Sequence, residues 1–233
     1  MAQLSHPIPD LPLIPVAGTD LVFPVRRVFC VGRNYAAHAA EMGAEVDREA
    51  PFYFTKSAFS VATGVPTIAY PPETADYHHE MEMVVAIGEP AFRVTSDGAL
   101  GAVFGYGCGL DMTRRDHQAK AKEKRRPWDV GKDVEGSAVL GALARADRVD
   151  LGAHSRISLT VNGAVRQDAT LGEMVHSTSE IIADLSRFYH LQAGDIIMTG
   201  TPAGVGPVEP GDHLVGEVEG LPALDVTIAA SGT

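Results

Sequence analysis

Short apolar runs separated by turn residues dominate this chain, and amphipathic stretches long enough for a helix are few. The runs are rich in β-branched and aromatic residues, the composition that favours strands. Their spacing predicts strands at residues 26–31 (RRVFCV), 51–55 (PFYFT), 79–87 (HEMEMVVAI), 102–110 (AVFGYGCGL) and 195–198 (DIIM).

Two hairpins extend this pattern. Residues 157–161 and 164–167 flank Asn162-Gly163, a pair that suits the type I′ turn of a tight β-hairpin. Residues 213–218 and 223–228 predict a second hairpin at the end of the chain.

Helices are predicted over residues 34–42, 113–126 and 179–189. We expect Asn34 to cap the first helix and Thr113, with Asp116 three residues later, to form a capping box for the second. Because strands outnumber helices, the predicted class is α+β, rich in strands and with much antiparallel sheet.

The length of 233 residues predicts one domain with a short appendage. Residues 1–20 carry four prolines and predict an extended arm, which leaves residues 21–233 as the folded domain. Residues 43–51 are small and charged, and we expect a mobile loop that closes over a site.

Charge and composition narrow the classes of function. With 19 basic and 30 acidic residues the net charge is −11, which disfavours binding to nucleic acid. No run approaches the ~20 apolar residues of a membrane helix, and the N-terminus lacks the basic start of a secretory signal. Cys30 and Cys108 form no disulfide framework, which favours a reducing compartment and predicts a cytoplasmic protein.

Three carboxylates are candidate metal ligands. Glu80 and Glu82 are two residues apart on a predicted strand, so both side chains point to one face, and Asp111 ends the glycine-spaced strand. Like charges this close repel, so the pKa of one carboxyl rises unless a cation lies between them, and three hard oxygen ligands would select Mg²⁺, Mn²⁺ or Ca²⁺ over Zn²⁺. The alternatives are a solvated strand face for the two glutamates and a helix cap for Asp111.

His38 and Glu41 share one face of the first predicted helix, the arrangement of a general base oriented by a carboxylate. The alternative is a surface ion pair. Among the cations, Lys56 and Lys132 interrupt apolar or small stretches and are candidates for burial near carboxylates, and Arg115 could grip a substrate carboxylate. A solvated helix face is predicted for Lys120, Lys122, Lys124 and Arg125.

The glycine-rich segment 199–206 (TGTPAGVG) lacks the Lys-Ser/Thr of a phosphate-binding P-loop. It could still bring backbone N–H groups and the hydroxyls of Thr199 and Thr201 to a carboxylate.

Together these motifs resemble the fumarylacetoacetate hydrolase family over about residues 28–228. The resemblance implies a catalytic domain of rolled, mixed β-sheets that pairs into homodimers. The segments that carry it are GRNYAAHAAEM (32–42), PFYFTK (51–56), HHEMEM (78–83), GYGCGLDMTRRDHQ (105–118), WDVGK (128–132) and GDIIMTGTPAGVGPVEPGD (194–212).

The resemblance also implies roles for individual residues. Glu80, Glu82 and Asp111 fall on the positions that hold Mg²⁺ or Mn²⁺ in the family. His38 and Glu41 fall on the catalytic dyad, and Lys132 falls on the active-site lysine. Substrate contacts are expected from Arg33, Lys56, Arg115, Gln118, Thr199, Gly200 and Thr201, with Lys56 close to the metal.

The activity implied is metal-dependent hydrolysis of a C–C bond in an acylpyruvate. Within the family, the segments at 51–56 and 128–132 favour the cleavage of fumarylpyruvate to fumarate and pyruvate, as in gentisate-type aromatic catabolism. Arg115 is the predicted contact for the fumaryl carboxylate. The alternative is an oxaloacetate decarboxylase or a 2-oxo acid tautomerase or isomerase on the same scaffold.

Overall fold

A computed structural model describes residues 4–43 and 46–230. Parts of the predicted arm, loop and domain, at residues 1–3, 44–45 and 231–233, lie outside the described residues. The helices are α1 (Ala36–Glu41), α2 (Ser96–Ala99), α3 (Arg115–Glu123), α4 (Asp129–Lys132) and α5 (Thr178–Phe188). The strands are β1 (Leu13–Pro15), β2 (Val22–Pro24), β3 (Arg27–Gly32), β4 (Phe52–Lys56), β5 (Val61–Thr63), β6 (Thr67–Ala69), β7 (Tyr77–His79), β8 (Met81–Ile87), β9 (Val103–Asp111), β10 (Thr113–Arg114), β11 (Ala138–Leu140), β12 (Ala144–Arg145), β13 (Arg156–Val161), β14 (Ala164–Thr170), β15 (Asp195–Met198), β16 (Gly206–Pro207), β17 (His213–Val218) and β18 (Leu224–Ala229).

Two large sheets form the body of the molecule. The first has the order β4-β3-β15-β8-β9-β11-β5, with β12 also paired to β9, and the second has the order β14-β13-β17-β18-β6. In the first sheet, β15 runs parallel to β3 and β11 runs parallel to β5, whereas β8 and β9 are antiparallel. The predicted α+β class with rolled, mixed sheets is confirmed.

The alternation of β8 divides the core. Met81, Met83 and Val85 point to one face, where they pack in a buried cluster with apolar residues of β13, β17 and β18. Val84 and Ala86 point to the other face, where the second buried cluster includes Ile14, Val16 and Phe23 from the N-terminal segment. Glu82 has the same parity as Val84, so its carboxylate lies on this second face.

A glycine beside Asp111 allows the close packing that this face requires. A Cβ at Gly109 would lie 2.6 Å from Cγ2 of Val84, closer than carbon atoms approach. The glycines of β9 therefore let β8 and β11 pack closely against β9 near Asp111.

The ends of the predicted strands agree with the structure to within three residues, with one exception. The run 79–87 is divided at Glu80 into β7 and β8. The division arises because β7 joins a separate small sheet, in the order β10-β7-β16, whereas β8 belongs to the first large sheet.

Both predicted helix caps are wrong. The side chain of Asn34 donates to the backbone oxygens of His176 and Thr199, and α1 begins after Tyr35 without a side-chain cap. Thr113 is paired with His78 in a strand, so α3 begins at Arg115. In both cases a tertiary contact takes the polar side chain or backbone that a local cap would have used.

The division of the chain at residue 20 stays a prediction. Strand β1, inside the predicted arm, pairs antiparallel with β2 beyond it, and Ile14 and Val16 are fully buried. Among the described residues, no helix has the length and apolar character required to cross a membrane.

Candidate metal centre and catalytic cleft

Antiparallel pairing of β8 and β9 brings the three predicted carboxylates together. The Asp111 N–H donates to the Glu80 carbonyl at 2.8 Å, and Glu82 is opposite Gly109 in the register. All three side chains are buried, and one carboxylate oxygen from each lies within 4.8 Å of the others. The two glutamates, two residues apart, and the aspartate at the end of β9 thus form one cluster.

Electrostatic repulsion within this cluster is strong because burial removes the screening by water. Burial, followed by the charges of Asp111 and Glu80, raises the pKa of Glu82 well above its usual range. Burial also acts to raise the pKa of Glu80, but Lys132 and Arg115 outweigh it and the net pKa is lowered. A cation bound beside Glu82 would therefore stabilise its ionised form.

Two buried lysines flank Asp111. Nζ of Lys132 donates to Oε2 of Glu80 at 2.9 Å and to Oδ2 of Asp111 at 2.6 Å. Nζ of Lys56 lies 2.9 Å from Oδ1 of Asp111, but its hydrogen bonds go to other atoms, including the Met112 carbonyl and the Ser137 hydroxyl. Oδ1 of Asp111 is thus a buried oxygen without a hydrogen bond.

Arg115 lies on the other side of Glu80. Its Nη2 donates to Oε1 of Glu80 at 2.6 Å, and its Nη1 donates to Oε1 of Gln118 at 2.7 Å. The guanidinium is therefore part of the wall next to the carboxylates, at the first residue of α3.

His38 and Glu41 form the predicted pair on α1, with 3.4 Å between Nδ1 of His38 and Oε2 of Glu41. The Glu41 carboxylate also accepts from the Gly204 N–H at 3.1 Å, which connects α1 to the glycine-rich turn. Burial lowers the pKa of His38, although Glu80 and Glu41 oppose the shift. The imidazole is consequently neutral at neutral pH and able to accept a proton.

The glycine-rich turn is held against the carboxylates. The Gly200 N–H donates to Oε2 of Glu82 at 2.7 Å, and the Thr199 hydroxyl donates to the Met83 carbonyl at 3.0 Å. Gly200 has a φ of +95°, and a Cβ there would lie 2.6 Å from Cβ of Asn34. Substrate contacts by Thr199 and Gly200 stay a prediction, since both residues here support β8.

These groups border one cleft. Of the predicted site residues, eight line it, while Glu41, Lys56, Asp111, Thr199 and Gly200 are not part of its lining. The predicted residues in the lining are Arg33, His38, Glu80, Glu82, Arg115, Gln118, Lys132 and Thr201, where Lys132 is the buried member between two carboxylates.

Sequence reasoning missed several other lining residues, including Met42, Phe54, Lys122 and Trp128. Lys122 was predicted to be on a solvated face, and it is exposed, but it also borders the cleft. The signal was available in the spacing, because Arg115, Gln118 and Lys122 recur at i, i+3 and i+7 on one face of a helix.

The family follows from comparison with known proteins. The family described as fumarylacetoacetate (FAA) hydrolase, C-terminal, matches residues 27–229. The chain belongs to this family of hydrolases and isomerases, as the resemblance of its motifs predicted.

Three relatives illustrate the range of activities. Fumarylpyruvate hydrolase of a Ralstonia species is 48% identical over 189 residues, which cover 80% of this chain and 98% of the relative. An oxaloacetate tautomerase of Escherichia coli is 39% identical over 204 residues, 87% of this chain and 93% of the relative. The crystal structure of fumarylpyruvate hydrolase from Pseudomonas aeruginosa, in complex with Mn²⁺ and pyruvate, is 42% identical with a TM-score of 0.94, covering 98% of this chain and 100% of that one.

Proposed function

We propose that this protein is a divalent-metal-dependent hydrolase that cleaves the C–C bond of an acylpyruvate, and that fumarylpyruvate is its substrate. The observation that carries the proposal is the buried carboxylate cluster, of which Glu80 and Glu82 line the same cleft as His38. The 48% identity to a fumarylpyruvate hydrolase supports this choice of substrate.

Glu80, Glu82 and Asp111 are the residues that would hold Mg²⁺ or Mn²⁺, and Ca²⁺ would also suit an all-oxygen donor set. The buried Oδ1 of Asp111, which accepts no hydrogen bond although Nζ of Lys56 lies 2.9 Å away, fits a metal ligand. The bound ion would supply Lewis-acid polarisation of the oxygens on the pyruvate half of the substrate.

The remaining steps fall to the chain's own side chains. Neutral His38, oriented by Glu41, accepts a proton from water as the water oxygen bonds to the acyl carbonyl carbon. The ammonium of Lys132 has three N–H donors, of which Glu80 and Asp111 use two. The third is available to the developing oxyanion, an interaction worth about 3–4 kcal/mol when well placed.

Collapse of the tetrahedral species completes the reaction. The carbonyl re-forms as the bond between the acyl carbon and the methylene carbon breaks, and the electron pair passes into the enolate of pyruvate. The proton on His38 balances the charge when that carbon is protonated. Arg33, Arg115, Gln118 and Thr201 line the cleft where substrate would lie.

A second candidate function is tautomerisation or decarboxylation of oxaloacetate, favoured by the 39% identity to the Escherichia coli tautomerase. Both reactions pass through an enolate of the same 2-oxo acid half. Neither requires water to attack a carbonyl, so His38 separates the two functions.

Turnover of fumarylpyruvate by the purified protein tests the proposal directly. With Mn²⁺ or Mg²⁺ present, we expect loss of the enol absorbance and formation of fumarate and pyruvate in equal amounts. Addition of EDTA should abolish both signals. Absence of cleavage by the metal-loaded protein, together with turnover of oxaloacetate, would favour the second candidate.

We further propose a homodimer in the cytoplasm. Exposed apolar side chains on and beside the β1–β2 hairpin, namely Leu11, Leu13, Leu21 and Val22, offer surface that a second copy could cover. Two buried, free cysteines suit a reducing compartment. Light scattering coupled to size exclusion measures the mass, and a monomer at micromolar concentration would exclude the dimer.

A further inference from the structure

The cations around the cleft divide into two groups. Lys56, Lys132 and Arg115 each lie within 3 Å of a carboxylate oxygen of Asp111 or Glu80. Arg33 and Lys122 border the same cleft, and neither forms an ion pair with a carboxylate of any described residue. Two positive charges at the mouth of the cleft are therefore left without a carboxylate partner in the described structure.

The position of Lys122 places it away from the carboxylate cluster. Arg115, which contacts Glu80, begins α3, and Lys122 lies seven residues later near its end. At 1.5 Å per residue, the two Cα atoms are about 10 Å apart along the helix axis. One wall of the cleft thus runs from the carboxylates to an unpaired ammonium at the mouth.

Aromatic rings hold the two unpaired cations without neutralising them. Nζ of Lys122 lies 5.1 Å from the centre of the Trp128 ring, and the guanidinium carbon of Arg33 lies 5.9 Å from the Phe52 ring. The Trp128 and Phe52 rings contact each other edge-on at 5.1 Å between centroids. Such contacts orient a cation but leave its charge free for an anion.

The electrostatic environment of Lys122 is positive. Although the side chain is exposed overall, partial desolvation of its ammonium at the cleft lowers its pKa, the charges of Arg115 and Arg33 lower the pKa further, and the charge of Glu80 opposes them. An anion bound between Arg33 and Lys122 would relieve this repulsion.

Arg115 is already engaged by Glu80 and Gln118, which weakens its case as the contact for a fumaryl carboxylate. In fumarylpyruvate that carboxylate lies three carbons beyond the carbonyl carbon that water attacks, at the end of a rigid trans alkene. If the pyruvate half lies at Glu80, Glu82 and Asp111, the far carboxylate extends toward the mouth.

We propose that Lys122 and Arg33 form a subsite for a carboxylate at the far end of the acyl group. The enzyme then selects acylpyruvates that end in a second carboxylate over acylpyruvates with a neutral acyl group. This inference rests on the proposed function, and it names the feature of the substrate that the cleft reads.

The first experiment compares two substrates, fumarylpyruvate and acetylpyruvate, which differ in whether the acyl group ends in a carboxylate. The variant Lys122→Met keeps most of the aliphatic stem and removes the charge. We expect the ratio of kcat/KM for fumarylpyruvate over acetylpyruvate to fall about ten- to a hundredfold. Arg33→Asn removes the other positive charge and should also lower the ratio. Asparagine is chosen because it tolerates the φ of +58° at this position.

The matched control is Lys120→Met, which removes an exposed lysine of the same helix that does not border the cleft. It should leave the ratio unchanged. An equal loss of kcat/KM on both substrates in Lys122→Met, or an equal fall of the ratio in the control, would overturn the subsite.

A binding measurement separates the subsite from the proposed function. Trp128 is the sole tryptophan of the chain and contacts Lys122, so its fluorescence reports on this end of the cleft. Fumarate titrated into the Mn²⁺-loaded protein should change the fluorescence, with a dissociation constant about tenfold or more higher in Lys122→Met than in Lys120→Met.

The outcomes are distinct. Failure of the wild-type protein to hydrolyse either acylpyruvate would reject the proposed function, while the fluorescence titration would still decide whether Lys122 binds a carboxylate. Hydrolysis of both substrates with identical fumarate affinities in the two lysine variants would retain the function and reject the subsite.

Discussion

His38 is suited to act as a general base because burial favours its unprotonated form. Burial holds the pKa of this imidazole below its ordinary value of about 6.5, so the unprotonated base is present at and above neutral pH. In an ionised form it could not accept a proton from water. Burial thus keeps the proposed general base unprotonated before substrate binds.

We predict that the acid limb of the kcat/KM profile lies below pH 6.5, because activity is lost only when His38 becomes protonated. His38→Gln should lower kcat by about 10²–10⁴-fold and remove that limb. The check is a pH–rate profile from pH 4.5 to 8 for both proteins, with Mn²⁺ affinity measured in parallel. A limb centred above pH 7, or near-normal turnover by a variant that still binds Mn²⁺, would contradict the role.

Single residues were predictable where their role follows from strand geometry. Glu80 and Glu82 are two positions apart, and the alternation of side chains on a strand sufficed to put both on one face. Asn34 was not predictable in this way, because its partners lie 142 and 165 residues further along the chain. Lys122 was predicted to face solvent, although its spacing from Arg115 and Gln118 puts it on the helix face that borders the cleft.

At the scale of elements, the turn between β15 and β16 depends on glycine. Gly204 has a φ of +95°, and a Cβ there would lie 2.0 Å from the Arg166 carbonyl oxygen. Its N–H also holds Glu41. Gly211 has a φ of +98°, but a Cβ there would meet nothing within 4 Å. Comparison of alanine variants at Gly204 and Gly211 therefore separates the cost of the backbone conformation from the cost of a steric clash.

Gly211→Ala should therefore cost about 1–3 kcal/mol of unfolding free energy, the penalty of the backbone conformation alone. Gly204→Ala should cost at least about 2 kcal/mol more and should also lower kcat, because the turn must move away from β14 and release Glu41. Urea unfolding and turnover of both variants measure the two effects. Equal stability of the two proteins would contradict the predicted clash.

Element boundaries were predictable where local signals act alone. The hairpin around Asn162-Gly163 has positive φ at both turn residues, as a type I′ turn requires. The start of α3 was placed two residues early because Thr113 pairs across to β7, a contact that no local pattern encodes. The order of strands in the first sheet was likewise beyond the sequence, since β15 inserts between β3 and β8.

At the scale of the whole molecule, the metal centre and the fold are linked. Glu82 and Asp111 lie on the paired strands β8 and β9, Glu80 immediately precedes β8, and the mutual repulsion of these carboxylates is built into the core. An ion bound only by the folded chain stabilises it by about 2.7 kcal/mol at a hundredfold excess over its dissociation constant.

We therefore predict that saturating Mn²⁺ raises the melting temperature by about 5–10 °C over the EDTA-treated protein. Glu82→Gln should largely remove this increase, while Glu217→Gln, an exposed glutamate on β17, should retain it. Differential scanning calorimetry with and without the ion decides the matter. A full increase in Glu82→Gln would place the ion elsewhere.

The contacts that complete the cleft join distant parts of the chain, and this has a consequence for biosynthesis. Asn34 is bonded to Thr199 across 165 residues, and Glu41 to Gly204 across 163. A ribosome adds residues at about 5–20 per second, so roughly ten to thirty seconds separate the emergence of the two partners. During that interval the Gly204 turn that holds the Glu41 carboxylate beside His38 has not been synthesised. A chain released early would therefore lack a complete site.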